Sequence, residues 1–207
     1  MSGELIFYTR PISRGRMVRW MLEEIGAPYE AVIVDELAGG EQAAAYRRLN
    51  PIGKVPTIVH NGQAISESPA ILLYLAEAYP EANLGPTPAT RGDFYRWLFF
   101  ASGPMEAAMI DHLLGLQIPP ERQQTVGYGT FERMVDALEV GIAGRSYVAG
   151  DHFTAADLYL AHHIGWGLLL GMLPPRPAFE AYLSPIMARP AGLRARAIDD
   201  ALAAEPA

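Results

Sequence analysis

The 207-residue chain contains no cysteine. That absence removes disulfide staples, cysteine-ligated zinc and any mechanism in which a thiol of the protein is the nucleophile or redox centre. Lysine is almost as scarce, Lys54 being the only one, and the net charge is −7 with no long basic run. Clustered Lys and Arg are the main source of affinity for phosphate backbones, so nucleic acid is excluded as a partner. No segment approaches the roughly 18 consecutive apolar residues of a membrane span. The first ten residues, MSGELIFYTR, lack a basic leader followed by a sustained apolar run, so a soluble cytoplasmic protein is expected. Metal-ligand spacing is missing too. His162 and His163 are adjacent, about 100° apart on a helix rather than one turn apart, and read as packing or surface residues.

Half the residues are hydrophobic, a globular composition, and the length suits two domains, each with its own core. Glu4 to Tyr8 suits a buried strand. Val18, Met21, Leu22 and Ile25 then fall at helical spacing until Gly26 stops them. Ala31 to Val34 is a second strand, followed by an alanine-rich helix ending at Asn50. Thr57–His60 and Gln63–Ser66 flank Asn61-Gly62, a strong hairpin signal. A third helix after Glu67 carries Ile71, Tyr74, Leu75 and Ala78 on one face. The order is βαβαββα. Residues 80–89, rich in proline, form the expected linker between domain 1–79 and domain 90–207. Every long segment of the latter has a helical period, so it is expected to be all-α. Thr154 and Asp157 form a capping box there, with Phe153 able to staple onto Leu158.

Three places in the first domain can carry chemistry. In Asn50-Pro51-Ile52-Gly53-Lys54-Val55-Pro56-Thr57, a proline at a strand entrance leaves the Val55 backbone able to pair with something other than the sheet. An ordinary loop with two turn prolines is the plainer account. Ser68 as N-cap with Pro69 at the first helical position points backbone N–H groups and the positive end of a helix dipole outward. With Glu67 beside it, this pair suits an α-amino-acid headgroup, whereas a capped helix with a solvated glutamate is the commoner case. Arg14, Arg16 and Arg19 crowd the start of the first helix, where the dipole disfavours cations, so an anion or acidic partner is expected there. Ser13 sits at the same end, as N-cap or as donor to a thiolate.

These pieces together resemble the glutathione transferase superfamily over nearly the whole chain. They are FYTRPISRGRMVRWMLEEIGAPYE, NPIGKVPTIVHNGQAISESPAILLYLAEAYP, GDHFTAADLYLA and MARPAGLRARA, in that order. The resemblance implies a thioredoxin-like N-terminal domain and an all-α C-terminal helical bundle. It implies a cis bond before Pro56, the Val55 backbone holding the cysteinyl part of glutathione, and Glu67 with Ser68 holding the γ-glutamyl group. Arg14 and Lys54 are placed among the glutathione contacts. It also implies a homodimer in which a hydrophobic electrophile binds between the domains. From their positions, Phe99, Met105, His112 and Trp166 are assigned to the electrophile pocket.

The activating residue is where the chain departs from the pattern. Families of this fold use tyrosine, serine or cysteine after the first strand, and cysteine is absent. Ungapped counting back from Gly26 selects Tyr8, while the pair Ser13-Arg14 looks like that of serine-type members. Both stay open, with Ser13 preferred. The expected activity is transfer of glutathione, as thiolate, to an electrophilic carbon or a peroxide. A non-catalytic glutathione- or ligand-binding module and a glutathione-dependent isomerase, lyase or hydrolase are the alternatives. A thioredoxin-like redox protein would need C-x-x-C, which is missing.

Overall fold

The computed structural model describes residues 4–35 and 40–204. The chain forms two compact units, Met1–Asn83 with Arg189–Ala207, and Leu84–Ala188. The division after residue 83 falls inside the expected 80–89 linker. The last helix, expected within 90–207, belongs to the first unit instead, for reasons that lie in its contacts below.

In the first unit, β1 (Leu5–Thr9), β2 (Glu30–Ile33), β3 (Thr57–His60) and β4 (Gln63–Ser66) form one sheet in the order β2-β1-β3-β4. β1 runs parallel to β2, with Tyr8 opposite Val32, and antiparallel to β3, with Tyr8 opposite Thr57. β2 lies one residue earlier than its sequence suggests, and Val34 N–H still reaches the Thr9 carbonyl at 2.9 Å. The β3–β4 turn is Asn61-Gly62 with φ of 52° and 78°, the doubly positive pair that matches the twist of a hairpin. Alternation along β1 sends neighbouring side chains to opposite faces. Phe7 meets Tyr29 at 6.1 Å on one face, and Tyr8 meets Tyr46 at 5.6 Å on the other.

Helix α1 (Gly15–Ile25) buries Val18, Met21 and Leu22 and ends at Gly26, φ 66°, whose N–H bonds the Leu22 carbonyl at 3.0 Å. Only a residue tolerant of left-handed φ closes a helix in this way. α2 spans Gly40–Leu49 and α3 Ser68–Ala78. At α3 the expected cap moves by one residue: Ser68 is already helical, and Glu67 is the cap, at φ 70° and ψ 115°. The closing helix α9 (Pro190–Ala204) lies along α1. Gly192 makes that approach possible, because a Cβ there would come within 2.9 Å of the Trp20 ring. Among the described residues three ion pairs join the two helices, Arg16–Asp200 and Arg19–Asp199, each at 2.7 Å, and Arg194–Glu23 at 3.2 Å, and a fourth, Arg189–Glu24 at 2.7 Å, holds the residue just before α9. The acidic partner expected for the arginines at the start of α1 is thus supplied, for Arg16 and Arg19, by the chain itself.

The regular elements of the second unit are all helices among its described residues: α4 (Arg91–Phe100), α5 (Glu106–Leu113), α6 (Phe131–Ile142), α7 (Ala155–Leu169) and α8 (Pro177–Met187). Between α4 and α5 runs a π-helical turn, Ala101–Met105, that contains Pro104. Proline has no N–H to give to an α-helical ladder, and the wider turn accommodates it. His162 and His163 pack inside this unit, as expected. Asp157 is wholly buried and accepts four bonds: from Val148 N–H at 2.7 Å, Thr154 N–H at 2.9 Å, and the Thr154 and Tyr182 hydroxyls at 2.8 Å each. The capping box therefore also tethers the preceding loop and α8. Among the described residues no helix is long and apolar enough to cross a membrane.

Two substitutions test this packing. Alanine at Gly141 would improve helix propensity by about 1 kcal/mol, but its Cβ would lie 1.8 Å from the Trp97 ring. Overpacking a core costs typically about 1–3 kcal/mol, so a net loss is expected in urea unfolding of Gly141→Ala, and stability at or above wild type would show that Trp97 yields freely. Removing the Asp157 carboxylate leaves four donors unpaired in the interior, each worth roughly 1 kcal/mol net. Asp157→Ala is therefore expected to lower unfolding free energy by about 3 kcal/mol or more, measured the same way, with Thr154→Ala losing about 1.

Candidate functional site

The loop from β1 to α1 is pinned carbonyl by carbonyl. The Ser13 hydroxyl donates to the Arg10 carbonyl at 2.6 Å, the Arg16 guanidinium donates from Nε to the Pro11 carbonyl at 2.6 Å, and Arg16 N–H reaches the Ser13 carbonyl at 3.3 Å. Ser13 Oγ in turn accepts Gly15 N–H at 3.0 Å. Helix α1 thus begins two residues beyond Ser13, with Arg14 in the cap position, and Ser13 stays outside the helix while taking one of its free N–H groups. Close packing enforces this: a Cβ on Gly15 would lie 2.0 Å from Thr9 Oγ1 and 3.0 Å from Ser13 Oγ. Arg14 is half-buried in that position.

The second loop is 50–56. The Val55–Pro56 peptide is cis, as expected. The β1–β3 ladder begins at Thr57, so Val55 stands beyond its end. What holds this backbone is the Lys54 carbonyl, which accepts from Tyr46 OH at 2.7 Å and from Asn50 Nδ2 at 2.7 Å. Tyr46 OH also meets Thr57 Oγ1 at 2.8 Å, and all three polar side chains are buried. The Asn50 carbonyl closes the turn by accepting Gly53 N–H at 2.8 Å, and Gly53 has φ 76°. The Lys54 side chain is exposed.

Glu67 and Ser68 form the third piece. The exposed Glu67 has left-handed φ, which a non-glycine residue adopts only at some cost. Its carbonyl starts α3 by accepting Ile71 N–H at 2.9 Å. Ser68 is buried in the first turn, where free N–H groups and the helix dipole favour a negative group. Tyr8 lines a cavity of about 260 Å³ between the sheet and α2, with Val34, Asp35, Gln42, Tyr46 and Leu49.

Ser13, Arg14, Lys54, Val55, Pro56, Glu67, Ser68 and Tyr8 therefore all lie in the first unit. The four residues assigned to the electrophile are in the second unit and do not share one environment. Phe99 on α4 is 57% exposed, whereas Met105 in the π turn is wholly buried. His112 is exposed and stacks on Phe131 at 4.0 Å, and Trp166 is half-buried 5.1 Å from His162. A cavity of about 490 Å³ in this unit is lined by Leu168, Pro175, Arg176, Glu180, Leu183 and Met187 instead. Among the described residues no group of three His, Cys, Asp or Glu side chains gathers as a metal site. Sequence reasoning gave no role to the side chains of Tyr46, Asn50 and Thr57, and read Arg16 as a charge needing an acidic partner. The first two carried a readable signal, since residues four apart share a helix face and here both precede a loop that needs holding.

The comparisons with known proteins bear on the chain as a whole. The N-terminal domain of glutathione S-transferase matches residues 13–78, and its C-terminal domain matches residues 119–183. Glutathione S-transferase 3 of Zea mays is 30% identical over 204 residues, covering 90% of this chain and 90% of that protein. Glutathione S-transferase GstB of Escherichia coli strain K12 is 28% identical, covering 82% and 86%. A sphingomonad glutathione S-transferase solved in complex with glutathione superposes with a TM-score of 0.76 at 29% identity, covering 94% of this chain and 98% of that one. With both domain families matched in order and relatives aligned along nearly its whole length, this chain belongs to the glutathione S-transferase family.

Proposed function

We propose that the protein is a glutathione transferase that binds glutathione as co-substrate, lowers the pKa of its thiol and delivers the thiolate to a hydrophobic electrophilic small molecule. The observation that carries this reading is the held Lys54–Val55–Pro56 backbone, an irregular edge with a cis peptide beyond the end of the sheet ladder. Such an edge suits a peptide laid antiparallel, and the sphingomonad relative is complexed with glutathione, a short peptide. Glu67 and the first turn of α3 suit the ammonium and carboxylate of the γ-glutamyl end. Arg14 and Lys54 lie in the two loops that frame the cysteinyl part. The enzyme is read as a cytoplasmic homodimer with a role in detoxification. Ile52, 73% exposed at the tip of the 50–56 loop, supplies an apolar side chain for a second copy to cover.

Ser13 is the proposed activating residue, and the magnitudes show what it needs from its surroundings. A thiol of pKa about 8.5 is only some 3% ionised at neutral pH, and lowering that value by two units requires roughly 2.7 kcal/mol of preference for the anion. In the structure the Ser13 hydrogen is already given to the Arg10 carbonyl. Turning it to a thiolate exchanges a neutral bond of about 1 kcal/mol for a charge-assisted one of about 1.5–3 kcal/mol. The net gain falls short of the whole shift. The remainder comes from the start of α1 and the arginine charge beside it, while Gly15 N–H, bonded to Ser13 Oγ, polarises the hydroxyl into a better donor.

Titration of bound glutathione by thiolate absorbance is the direct measurement. Ser13→Ala is expected to raise the bound thiol pKa by about one unit and to lower kcat/KM near neutrality by roughly threefold, approaching tenfold at lower pH, while Tyr8→Phe stays within about twofold of wild type. The reverse pattern would transfer the role to Tyr8. Loss of the Lys54 grip should act on affinity. Tyr46→Phe and Asn50→Ala each remove from the partly buried Lys54 carbonyl a donor worth about 1 kcal/mol, so the glutathione KM is expected to rise about fivefold, and an unchanged KM in both would disconnect this loop from binding.

A further inference from the structure

Arg16 touches neither the Val55 edge nor the start of α3, yet its side chain is fixed at two points. Its Nε donates to the Pro11 carbonyl at 2.6 Å and its Nη2 to Asp200 Oδ1 at 2.7 Å. The first contact holds the loop that carries Ser13, and the second reaches α9, nearly the far end of the chain. A planar guanidinium with donors in fixed directions can serve both only in one orientation, because fixing Nη2 aims Nε. Asp200 therefore determines where Arg16 Nε points, and Arg16 determines where the Pro11 carbonyl sits. Two residues further on, Ser13 shares the same short turn, and its own carbonyl is held by Arg16 N–H at 3.3 Å.

We propose that Asp200, acting through Arg16 and the Pro11 carbonyl, is a positioning residue for thiol activation, so that the C-terminal helix sets the geometry of the Ser13 loop. This rests on the reading of Ser13 as activator. Neither Asp200 nor Arg16 touches the thiol. Their contribution is orientation, and orientation of a donor governs how much a charge-assisted hydrogen bond delivers.

Charge alone predicts the opposite sign. Asp200 is a negative group on an arginine beside the start of α1, so removing it would make the surroundings more positive and lower the thiol pKa. The Asp200 side chain is 57% exposed and that of Arg16 20%, so this through-space effect is screened by solvent and salt. Loss of orientation then outweighs it. Arg16→Lys separates the two effects, since it keeps the positive charge but cannot make both contacts from one rigid fork.

The experiment is the ultraviolet titration of bound glutathione across pH, with steady-state kinetics alongside, on wild type, Asp200→Ala, Arg16→Lys and Arg194→Ala. Arg194 pairs with Glu23 at 3.2 Å, near the opposite end of α1, so Arg194→Ala loosens the same helix pair away from the Ser13 loop. Asp200→Ala and Arg16→Lys are each expected to raise the bound thiol pKa and to lower kcat/KM below neutrality by about two- to fivefold, with the difference closing at a pH where the thiol is fully ionised. The glutathione KM is expected to stay near wild type, and Arg194→Ala to titrate as wild type does. Titrations of Asp200→Ala and Arg16→Lys that superimpose on wild type would overturn the proposal. So would an equal shift in Arg194→Ala, which would mark a general loosening of α9. If wild-type protein leaves bound glutathione with its solution pKa, the activation reading itself fails, a result distinct from wild type shifting and the two variants matching it.

Discussion

Arg19 and Asp199 are buried together between α1 and α9, joined by Nε and Oδ1 at 2.7 Å. The guanidinium also donates from Nη1 to Tyr29 OH at 3.1 Å and lies 5.2 Å from the centre of the Phe7 ring. Burial pushes the Asp199 carboxyl up from its ordinary range, and Arg19 pulls it back. Among the described residues Arg19 Nη2 and Asp199 Oδ2 have no hydrogen-bond partner. A pair paired at only one contact gains little net stability over an apolar substitute, because desolvation of both ions offsets their attraction. What it supplies is specificity. With one partner gone the other is a lone buried charge, so α9 has one register on α1. Tyr29, Phe7 and Trp20 then pack around that register, which also places Asp200 opposite Arg16.

This explains which parts of the fold could be read from the sequence. Order and type of the elements were legible because their signals are local: apolar spacing ending at Gly26, the Asn61-Gly62 turn, and the proline-rich stretch at 80–89. The excess of arginine at the start of α1 was legible as a demand for negative charge, and the demand is real. Its answer lay some 180 positions away, and no local pattern in the last helix distinguishes packing on α1 from packing with α4 to α8. That information lies in the complementarity of Arg16 and Arg19 with Asp200 and Asp199, of Glu23 and Glu24 with Arg194 and Arg189, and of Gly192 with Trp20.

The candidate site divides in the same way. Val55, Pro56, Glu67 and Ser68 sit in recognisable motifs, and the cis bond before Pro56 was legible from its motif. The cap of α3 was placed one residue late because Ser68 looks like an N-cap by composition, whereas Glu67 takes that position through a backbone angle that glutamate seldom adopts. The surroundings of the four residues assigned to the electrophile by position were the least legible. Helical periodicity ranks side chains by face, and it could not tell that Met105 is fully buried or that Phe99 projects outward.

The chemistry proposed here depends mostly on backbone. Four carbonyls, of Arg10, Pro11, Ser13 and Lys54, are each held by a named donor, and the Val55 edge and the start of α3 present main-chain groups. Main-chain groups are the same for every residue type, so a site of this kind is specified by what restrains it rather than by what lines it. The side chains at its surface, Ile12 at 69% and Ile52 at 73% exposure, are poorly placed to do so. The restraint falls to residues one step behind: Tyr46 and Asn50 behind the 50–56 loop, Arg16 behind the Ser13 loop, and Asp200 behind Arg16. A sequence change there alters a hydrogen-bonding surface it never touches, because a peptide group can be moved only through its neighbours.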